Sequence, residues 1–260
     1  MTRRLAAVFA HPDDDTYGVG GTVALHADEG IEVTAVLATS GNAGRIFDPS
    51  LATRRNLGKV REGEDRAAWT ELGVKPTLQF LRYPDGGLST VPRDELVGRI
   101  AELLAAARPD VVVTFGPEGV TGHEDHIAIG EAATAAFHRA RDESSGGGLA
   151  RLLYVAIPQS RLDRLNALLR ERGMEPLDPT QPFVPRGVPD EVIAVMVDCS
   201  SVYQRKLEAL RQHRTQGELE DVPFELWPEV LGREAFVMAW PDPAPGDPVL
   251  SDVFEGLPGD

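Results

Sequence analysis

Residues 5–15 have the sequence Leu-Ala-Ala-Val-Phe-Ala-His-Pro-Asp-Asp-Asp, an apolar run followed by a histidine and three consecutive carboxylates. A short apolar run of this kind is typical of a buried strand. Three adjacent carboxylates repel one another, so they cost stability unless a cation or hydrogen-bond donors compensate. A solvated turn that caps the next helix through Asp15 or Thr16 would explain one acid, but not three acids beside His11. The stretch therefore predicts a strand that ends in a polar site.

Further apolar runs alternate with helix-like segments through the first half of the chain. We predict strands at 5–10, 32–38, 77–81 and 110–115, and helices at 18–29, about 51–72 and 92–107. Strands that alternate with helices of this length predict βαβ units, whose strands are buried between helices. The predicted fold class is α/β, Rossmann-like, with a mostly parallel sheet and helices on both faces.

The pattern continues in the second half, with strands near 152–156 and 192–197, helices near 161–172 and 200–213, and a last apolar run at 235–240. We interpret residues 1–240 as one α/β domain, with a motif-bearing core at 5–140 and a C-terminal elaboration at 150–240. Residues 241–260 are an acidic, Pro-rich tail that we expect to be extended or disordered. The Pro-rich passage at 176–189 is compatible with a lid over a site, which the sequence leaves open.

Charge and composition exclude several function classes. The chain has 26 Lys and Arg against 41 Asp and Glu, a formal net charge of −15, so we expect no nucleic-acid partner. Cys199 is the single cysteine, which excludes an intrachain disulfide and a cysteine-cluster metal site. No run approaches the ~18 apolar residues of a membrane helix, and the run at 5–10 is too short for a signal peptide. We expect a cytoplasmic protein without stable membrane association; its oligomeric state stays open, a homo-oligomer included.

A second polar cluster follows the fourth predicted strand. Residues 122–126 are Gly-His-Glu-Asp-His, and His123 and His126 lie three positions apart, on one face of a helix. The carboxyl ends of parallel strands share one edge of a sheet, so we expect these histidines near His11 and its acids. Two histidines and one aspartate with an open position for water are a catalytic zinc pattern.

Three stretches together resemble the PIG-L/LmbE-like deacetylases. Residues 10–15, 20–21 and 122–126 are similar to that family's A-H-P-D-D-E, Gly-Gly and G-H-x-D-H motifs, and the similarity extends over roughly residues 5–140. The family includes enzymes that remove the acetyl group from N-acetylglucosaminyl conjugates. The resemblance implies a Zn²⁺-dependent N-deacetylase in which zinc-activated water hydrolyses the amide. Its substrate would be a small N-acetylated amino-sugar conjugate.

The resemblance also implies roles for individual residues. His11, Asp14 and His126 would hold the zinc ion. Asp13 would be the general base, and His123 a cationic acid or a stabiliser of the oxyanion. The chemistry agrees with the residue types, because zinc lowers the pKa of bound water toward about 7 and a nearby carboxylate can take its proton.

Weaker similarities to the family place Arg61, Asp85 and His213 at the substrate. On local grounds each has an ordinary alternative. Arg61 is four positions from Asp65 and would be a solvated charge paired with it along a helix. Asp85 would be an ordinary turn residue. His213 would be a cap at a helix C-terminus. The sequence also departs from the family at Asp15, where a glutamate is usual.

Three other function classes compete with this interpretation. A haloacid-dehalogenase-like phosphatase would use the acids at 13–15 with magnesium and leave the histidines unused. A dinucleotide-binding module would use the glycines at 18–21, but the third glycine of that motif is missing. A non-catalytic sugar-binding protein on the same fold predicts a missing ligand or base, whereas the full set is present.

Overall fold

A seven-stranded sheet organises the part of the chain that the computed structural model describes, residues 2–143, 147–217, 219 and 222–258. Its strands are β1 (Arg4–Phe9), β2 (Glu32–Thr39), β3 (Thr77–Tyr83), β4 (Val111–Phe115), β5 (Arg151–Ala156), β6 (Val195–Asp198) and β7 (Arg233–Trp240). Their order is β3-β2-β1-β4-β5-β7-β6, and β7 runs antiparallel to its neighbours β5 and β6. The predicted mostly parallel sheet is confirmed, and the segment at 150–240 contributes strands to this same sheet.

Helices connect these strands. They are α1 (Asp14–His26), α2 (Leu57–Glu71), α3 (Arg93–Ala107), α4 (Gly119–Gly122), α5 (Glu124–Glu143), α6 (Gln159–Glu171), α7 (Tyr203–Gln212) and α8 (Trp227–Leu231). The crossovers β1–β2 and β2–β3 run in one direction along the sheet, and β3–β4 and β4–β5 run in the other. Right-handed connections therefore put α1 and α2 on one face of the sheet and α3 and α5 on the other. In agreement, α7 packs against α1 and α2, while α3 packs against α5. None of the helices in the described residues is long and apolar enough to cross a membrane.

Burial differs between the strands. Residues 5–10 are at most 1% exposed, as expected for the central strand β1. The strand predicted at 77–81 exists as β3, but its side chains are half-buried or exposed. Since β3 lies at the edge of the sheet and pairs only with β2, the expectation that it is buried is wrong.

The acidic tail packs against the sheet. The N–H of Leu250 donates to the Ala194 carbonyl at 2.9 Å, and the Leu250 carbonyl accepts from the N–H of Met196 at 2.8 Å. Residues 253 and 254 are buried. The tail is therefore ordered rather than disordered here: Leu250 pairs as extended backbone, and the buried side chains at 253–254 have a place in the core. Residues 259–260 lie outside the described part of the chain.

Candidate metal centre and its surroundings

The carboxyl ends of β1 and β4 lie side by side, because these strands are hydrogen-bonded neighbours. The connections diverge here, since β2 and β3 continue on one side of β1 and β5 on the far side of β4. Open α/β sheets bind ligands at such a point. His11 follows β1, and His126 lies in the first turn of α5, which follows β4. The fold thus brings together two motifs that are far apart in the sequence.

Three side chains form a compact triad at this point: His11, Asp14 and His126. His11 Nδ1 lies 3.2 Å from Asp14 Oδ2, and His126 Nε2 lies 3.3 Å from both Asp14 Oδ1 and His11 Nδ1. Ligand atoms of a tetrahedral zinc ion with bonds of about 2.0–2.1 Å are about 3.3–3.4 Å apart. The triad therefore has the spacing that a tetrahedral metal ion requires.

In each imidazole of the triad one ring nitrogen, the inner one, faces the triad, and the other, the outer one, lies within hydrogen-bonding distance of a group outside it. His126 Nδ1 is 3.0 Å from the Gly119 carbonyl oxygen, and His11 Nε2 is 3.1 Å from Asp85 and 3.3 Å from Asp125. When the two rings are neutral, these acceptors favour the protons on the outer nitrogens, and the lone pairs of the inner nitrogens then face each other and Asp14. Without a metal ion, a proton held between the rings and Asp14 relieves this repulsion; with neutral rings, the same donor set fits a divalent metal ion.

Asp14 is ionised in this environment. Burial raises the pKa of Asp14, but the His126 charge and the hydrogen bond with His11 outweigh burial and hold that pKa well below its usual range. The backbone N–H of His11 also donates to Asp14 Oδ2 at 2.7 Å. The carboxylate is thus in the form that binds a metal ion.

Asp13 is held by a buried arginine. It directly precedes α1 with a φ of 123°, a value that is rare for a residue with a side chain. Arg61 Nη2 lies 2.7 Å from Asp13 Oδ2 and donates to the Pro12 carbonyl at 2.6 Å, while Nη1 donates to the Gly41 carbonyl at 2.9 Å. Arg61 is 4% exposed, so its interpretation as a solvated charge is wrong. Its contact with substrate stays a prediction, since the structure directs it at Asp13.

Two carboxylates hold His11 from behind. The side chain of Asp85 is 5% exposed and accepts the N–H of Ala43 at 2.5 Å, so it is more than a turn residue; its contact with substrate stays a prediction. Asp125 is fully buried and accepts two backbone N–H groups from residues 86 and 88. Burial raises the pKa of both carboxyls, but their hydrogen bonds, with His11 foremost, outweigh burial and lower it. No local pattern distinguishes Asp125 from a surface acid in the first turn of a helix, although its position inside the second motif is a signal.

His123 lies beside the triad without joining it. Its ring centroid is 4.9 Å from those of His11 and His126, and its Nδ1 accepts the backbone N–H of Asp125 at 3.0 Å. Burial lowers the pKa of His123, and the charges of His11 and His126 lower it further. The structure therefore favours a neutral ring with its proton on Nε2 over the cation that the resemblance implies.

The Pro-rich passage at 176–189 borders the site. The N–H of Arg186 donates to the Val120 carbonyl at 2.7 Å, and the Phe183 ring lies 5.1 Å from the His123 ring. Phe183 is 66% exposed and presents an aromatic surface beside the triad. The passage at 176–189 therefore lies at the edge of the site, the position that a lid would occupy. No sequence signal singled out Phe183, because a lone aromatic residue in a Pro-rich stretch follows no periodicity.

His213 lies inside the protein rather than at the opening of the site. It is 1% exposed, and its Nε2 is 3.1 Å from the Thr16 hydroxyl oxygen. Burial, together with the charge of Arg61, lowers the pKa of His213 to about 3. The structure places His213 at the C-cap of α7, as its local alternative predicts, and its backbone N–H donates to the Leu210 carbonyl at 3.1 Å. A neutral ring adds no charge at that helix end. The contact of His213 with substrate stays a prediction, and in this arrangement its ring does not reach the surface.

Asp15 is a buried acid behind the triad. Its Oδ2 accepts the Trp69 Nε1–H at 2.8 Å and its Oδ1 accepts the N–H of Thr16 at 2.8 Å. Burial raises the pKa of Asp15 to about 6. The alternative of a solvated turn is wrong, because Asp15 is fully buried and the residue at the N-cap of α1 is Asp13.

Comparisons with known proteins agree with this site. The sequence matches the family PIG-L: GlcNAc-PI de-N-acetylase over residues 6–137. The 1D-myo-inositol 2-acetamido-2-deoxy-alpha-D-glucopyranoside deacetylase of Geodermatophilus obscurus is 35% identical over 294 aligned positions, which cover 99% of each chain.

Two solved structures share the fold. The N,N'-diacetylchitobiose deacetylase of Pyrococcus horikoshii has a TM-score of 0.60 and 23% identity, covering 91% of this chain and 83% of that one. The 4-carboxy-2-hydroxymuconate hydratase of Pseudomonas putida also has a TM-score of 0.60, with 17% identity and coverage of 95% and 100%. Since these two proteins are named for different reactions, the fold alone does not decide the chemistry. The family match, which contains both motifs of the triad, and the full-length relative are more specific: this chain belongs to the PIG-L family.

Proposed function

We propose that the protein is a zinc-dependent hydrolase that removes the acetyl group from a small N-acetylglucosamine-type conjugate. The observation that carries this proposal is the triad of His11, Asp14 and His126, spaced for a metal ion, beside an Asp13 that Arg61 holds in place. The relative from Geodermatophilus obscurus is named for deacetylation of such a conjugate, which supports the substrate class.

Two imidazoles and one carboxylate are a donor set that suits zinc and leaves room for water and substrate. A bound zinc ion would polarise the amide carbonyl and lower the pKa of water toward about 7. In the proposed reaction Asp13 accepts a proton from the attacking water, whose oxygen bonds to the amide carbon. The neutral His123 donates a hydrogen bond from Nε2 to the carbonyl oxygen, which gains negative charge.

The second half of the reaction returns the proton. The C–N bond breaks, the nitrogen keeps the electron pair, and Asp13 gives the nitrogen the proton that it took from water. The products are acetic acid and the free amine, and the carboxyl group then loses its remaining proton to the amine or to solvent to give acetate. Arg61 keeps the Asp13 carboxylate oriented through both transfers, because it is anchored to two backbone carbonyl groups as well.

The competing classes have less support. A phosphatase that uses magnesium would need carboxylates at the site, whereas Asp15 is turned away toward Trp69. The glycines at 18–21 serve packing, since a Cβ on Gly21 would lie 2.5 Å from Cys199 Sγ. A non-catalytic sugar-binding protein has no need for the triad together with Asp13 and His123.

The test is metal analysis together with acetate release. Protein purified without chelator should contain close to one equivalent of zinc rather than iron per chain, and should release acetate from at least one member of a panel of N-acetylglucosamine conjugates. His126→Ala should lose metal and activity, whereas His138→Ala, on the same helix but outside the triad, should keep both. A His126→Ala protein with its full metal content would contradict the assignment of the ligands, and the absence of acetate with every conjugate would contradict the function.

A further inference from the structure

An apolar cavity of about 410 Å³ opens directly from the triad. Asp14 and His126 form part of its wall, and it extends away from them over the ends of β4 and β5 toward α6. Aliphatic side chains line most of it, among them Val155, Ile157, Leu162, Leu165, Leu177 and Val222. The volume is within the range of small-molecule sites and far exceeds the space that one methyl group needs.

Two cationic residues at the far wall, Lys206 and Arg161, are already engaged, and a third, Arg233, is exposed. Lys206 Nζ lies 2.6 Å from the Glu234 carboxylate and donates to the Tyr17 carbonyl at 2.7 Å. The Arg161 guanidinium donates to the carbonyl groups of Glu229 and Arg233. These side chains therefore contribute their aliphatic stems to the cavity. Sugar hydroxyls buried here would find few partners, and an unpartnered buried hydroxyl costs stability.

The sheet order separates the two substituents of the scissile carbonyl. Asp13 leans toward the β2 side, since Arg61 ties it to the Gly41 carbonyl that follows β2. The amine that receives the proton from Asp13 must lie on that side. The cavity lies on the opposite side, over β4 and β5. The group that points into the cavity is therefore the acyl group.

We propose that this cavity is an acyl-binding site, and that the enzyme hydrolyses amides of aliphatic acyl groups longer than acetyl, in the range of four to eight carbons. This inference rests on the proposed amide hydrolase function. The inferred substrate class differs from that of the proposed function, because the acyl chain would be buried in the cavity and the amino-sugar part would be bound outside it.

The test uses one glucosamine glycoside that carries N-acetyl, N-butanoyl, N-hexanoyl or N-octanoyl groups. Each methylene that enters the cavity should raise kcat/KM about threefold, so the N-hexanoyl substrate should exceed the N-acetyl substrate at least about tenfold. An N-acetylglucosamine octyl glycoside carries the same kind of chain on the other side of the amide and should not share this gain. If the octyl glycoside gains and the N-hexanoyl substrate does not, the cavity binds the aglycone and the inference is overturned.

A matched pair of variants on α6 localises the effect. Leu165→Trp fills the cavity and should lower the N-hexanoyl to N-acetyl ratio of kcat/KM at least about tenfold. Leu168→Trp adds the same side chain on the same helix outside the cavity and should leave the ratio unchanged. Thermal unfolding of both variants checks that they are folded, and the series in the unsubstituted protein decides the question if Leu165→Trp does not fold.

The two proposals fail in different ways. Hydrolysis of the N-acetyl substrate without hydrolysis of longer amides overturns the acyl-binding site and leaves the proposed function intact. If no amide is cleaved, the proposed function fails, and calorimetry then tests the cavity with the uncleaved compounds. The N-octanoyl glycoside should bind at least about tenfold more tightly than the N-acetyl glycoside. Equal binding of the two overturns the inference as well.

Discussion

On the β2–β3 side of the triad, charged side chains are fixed by hydrogen bonds: Arg61 holds Asp13, and Asp85 holds His11. On the β4–β5 side, the triad opens into a cavity lined by aliphatic side chains such as Val155. Hydrogen bonds between charged groups fix distances and protonation states, whereas apolar contacts have no direction. In the proposed reaction the first side sets the chemistry, and under the proposed acyl-binding site the second side selects the acyl group. Changes on the first side should alter the rate with every substrate, and changes on the second should alter the ranking of substrates.

The largest effect is expected from Asp13 on the β2–β3 side. Asp13→Asn should lower kcat about 10²–10⁴-fold, because an amide cannot accept a proton from water. Asparagine has nearly the same shape as aspartate, and its amide oxygen can still accept from Arg61, so the loop should keep its shape. Metal content should equal that of the unsubstituted protein. If Asp13→Asn loses the metal while Asp14→Asn keeps it, the roles of these two acids are exchanged.

The next effect is expected from His123, which lies between the two sides. His123→Ala should lower kcat about 10²–10³-fold with little change in metal content, as for the loss of one oxyanion donor. Burial lowers the pKa of His123, so the ring is already neutral at pH 7, and kcat should not fall between pH 7 and 9 through loss of its proton. A decrease in this range that disappears in His123→Ala would show instead that the cation acts.

A smaller effect is expected behind the metal ligands. Asp125→Asn should weaken metal binding about 10–100-fold, because the carboxylate that orients His11 Nε2 becomes an amide. Competition with a chelator of known affinity measures this change. Glu131→Gln, an exposed acid on the same helix, is the matched control and should bind metal normally. Equal affinities for the two variants would mean that Asp85 alone orients His11.

The smallest effect is expected at His26, far from both sides of the triad, and it concerns the stability of the fold rather than the reaction. Burial lowers the pKa of His26, but hydrogen bonds with Asp252 and Glu29 outweigh burial and raise that pKa above its ordinary value. The folded protein thus binds this proton more tightly than the unfolded chain. The resulting stability is fully present below about pH 6.5 and is lost as the pH rises through the raised pKa.

His26→Gln measures this contribution. It should lower the free energy of unfolding more at pH 6 than at pH 9, by less than about 1 kcal/mol because solvent screens part of the interaction. Denaturant unfolding at the two pH values gives the difference, and kcat at pH 7 should stay unchanged. A larger destabilisation at pH 9 would reverse the sign of this linkage.

Sequence patterns located the metal-ligand candidates because each is tied to a strand end. His11 and Asp14 follow an apolar run, and His126 follows another, so the topology of a parallel sheet was enough to bring them together. The same patterns could not identify the partner of Arg61, because its contact with Asp13 joins α2 to the loop after β1 and depends on how the two elements pack.

Burial was harder to predict than position in the chain. An apolar run gives the same signal in a central strand and in an edge strand, which is why β3 was expected to be buried. The composition of the tail gives the opposite error. Its many acids and prolines predict an exposed segment, although the few apolar residues at 253–254 are buried. His213 combines both difficulties, because no local pattern distinguishes a histidine at a site opening from one enclosed beneath it.

The pairing of Leu250 with β6 has a consequence for association between molecules. β6 is the outermost strand of the sheet on this side, and an uncovered outer strand offers N–H and C=O groups on which another chain can add a strand. Leu250 pairs with the Ala194 carbonyl and the Met196 N–H, the two backbone groups that face it. The prolines at 241, 243, 245 and 248 lack the N–H that would continue such pairing. The tail thus covers part of this edge and should hinder edge-to-edge aggregation. A chain that ends at Trp240 should aggregate at concentrations at which the full chain does not.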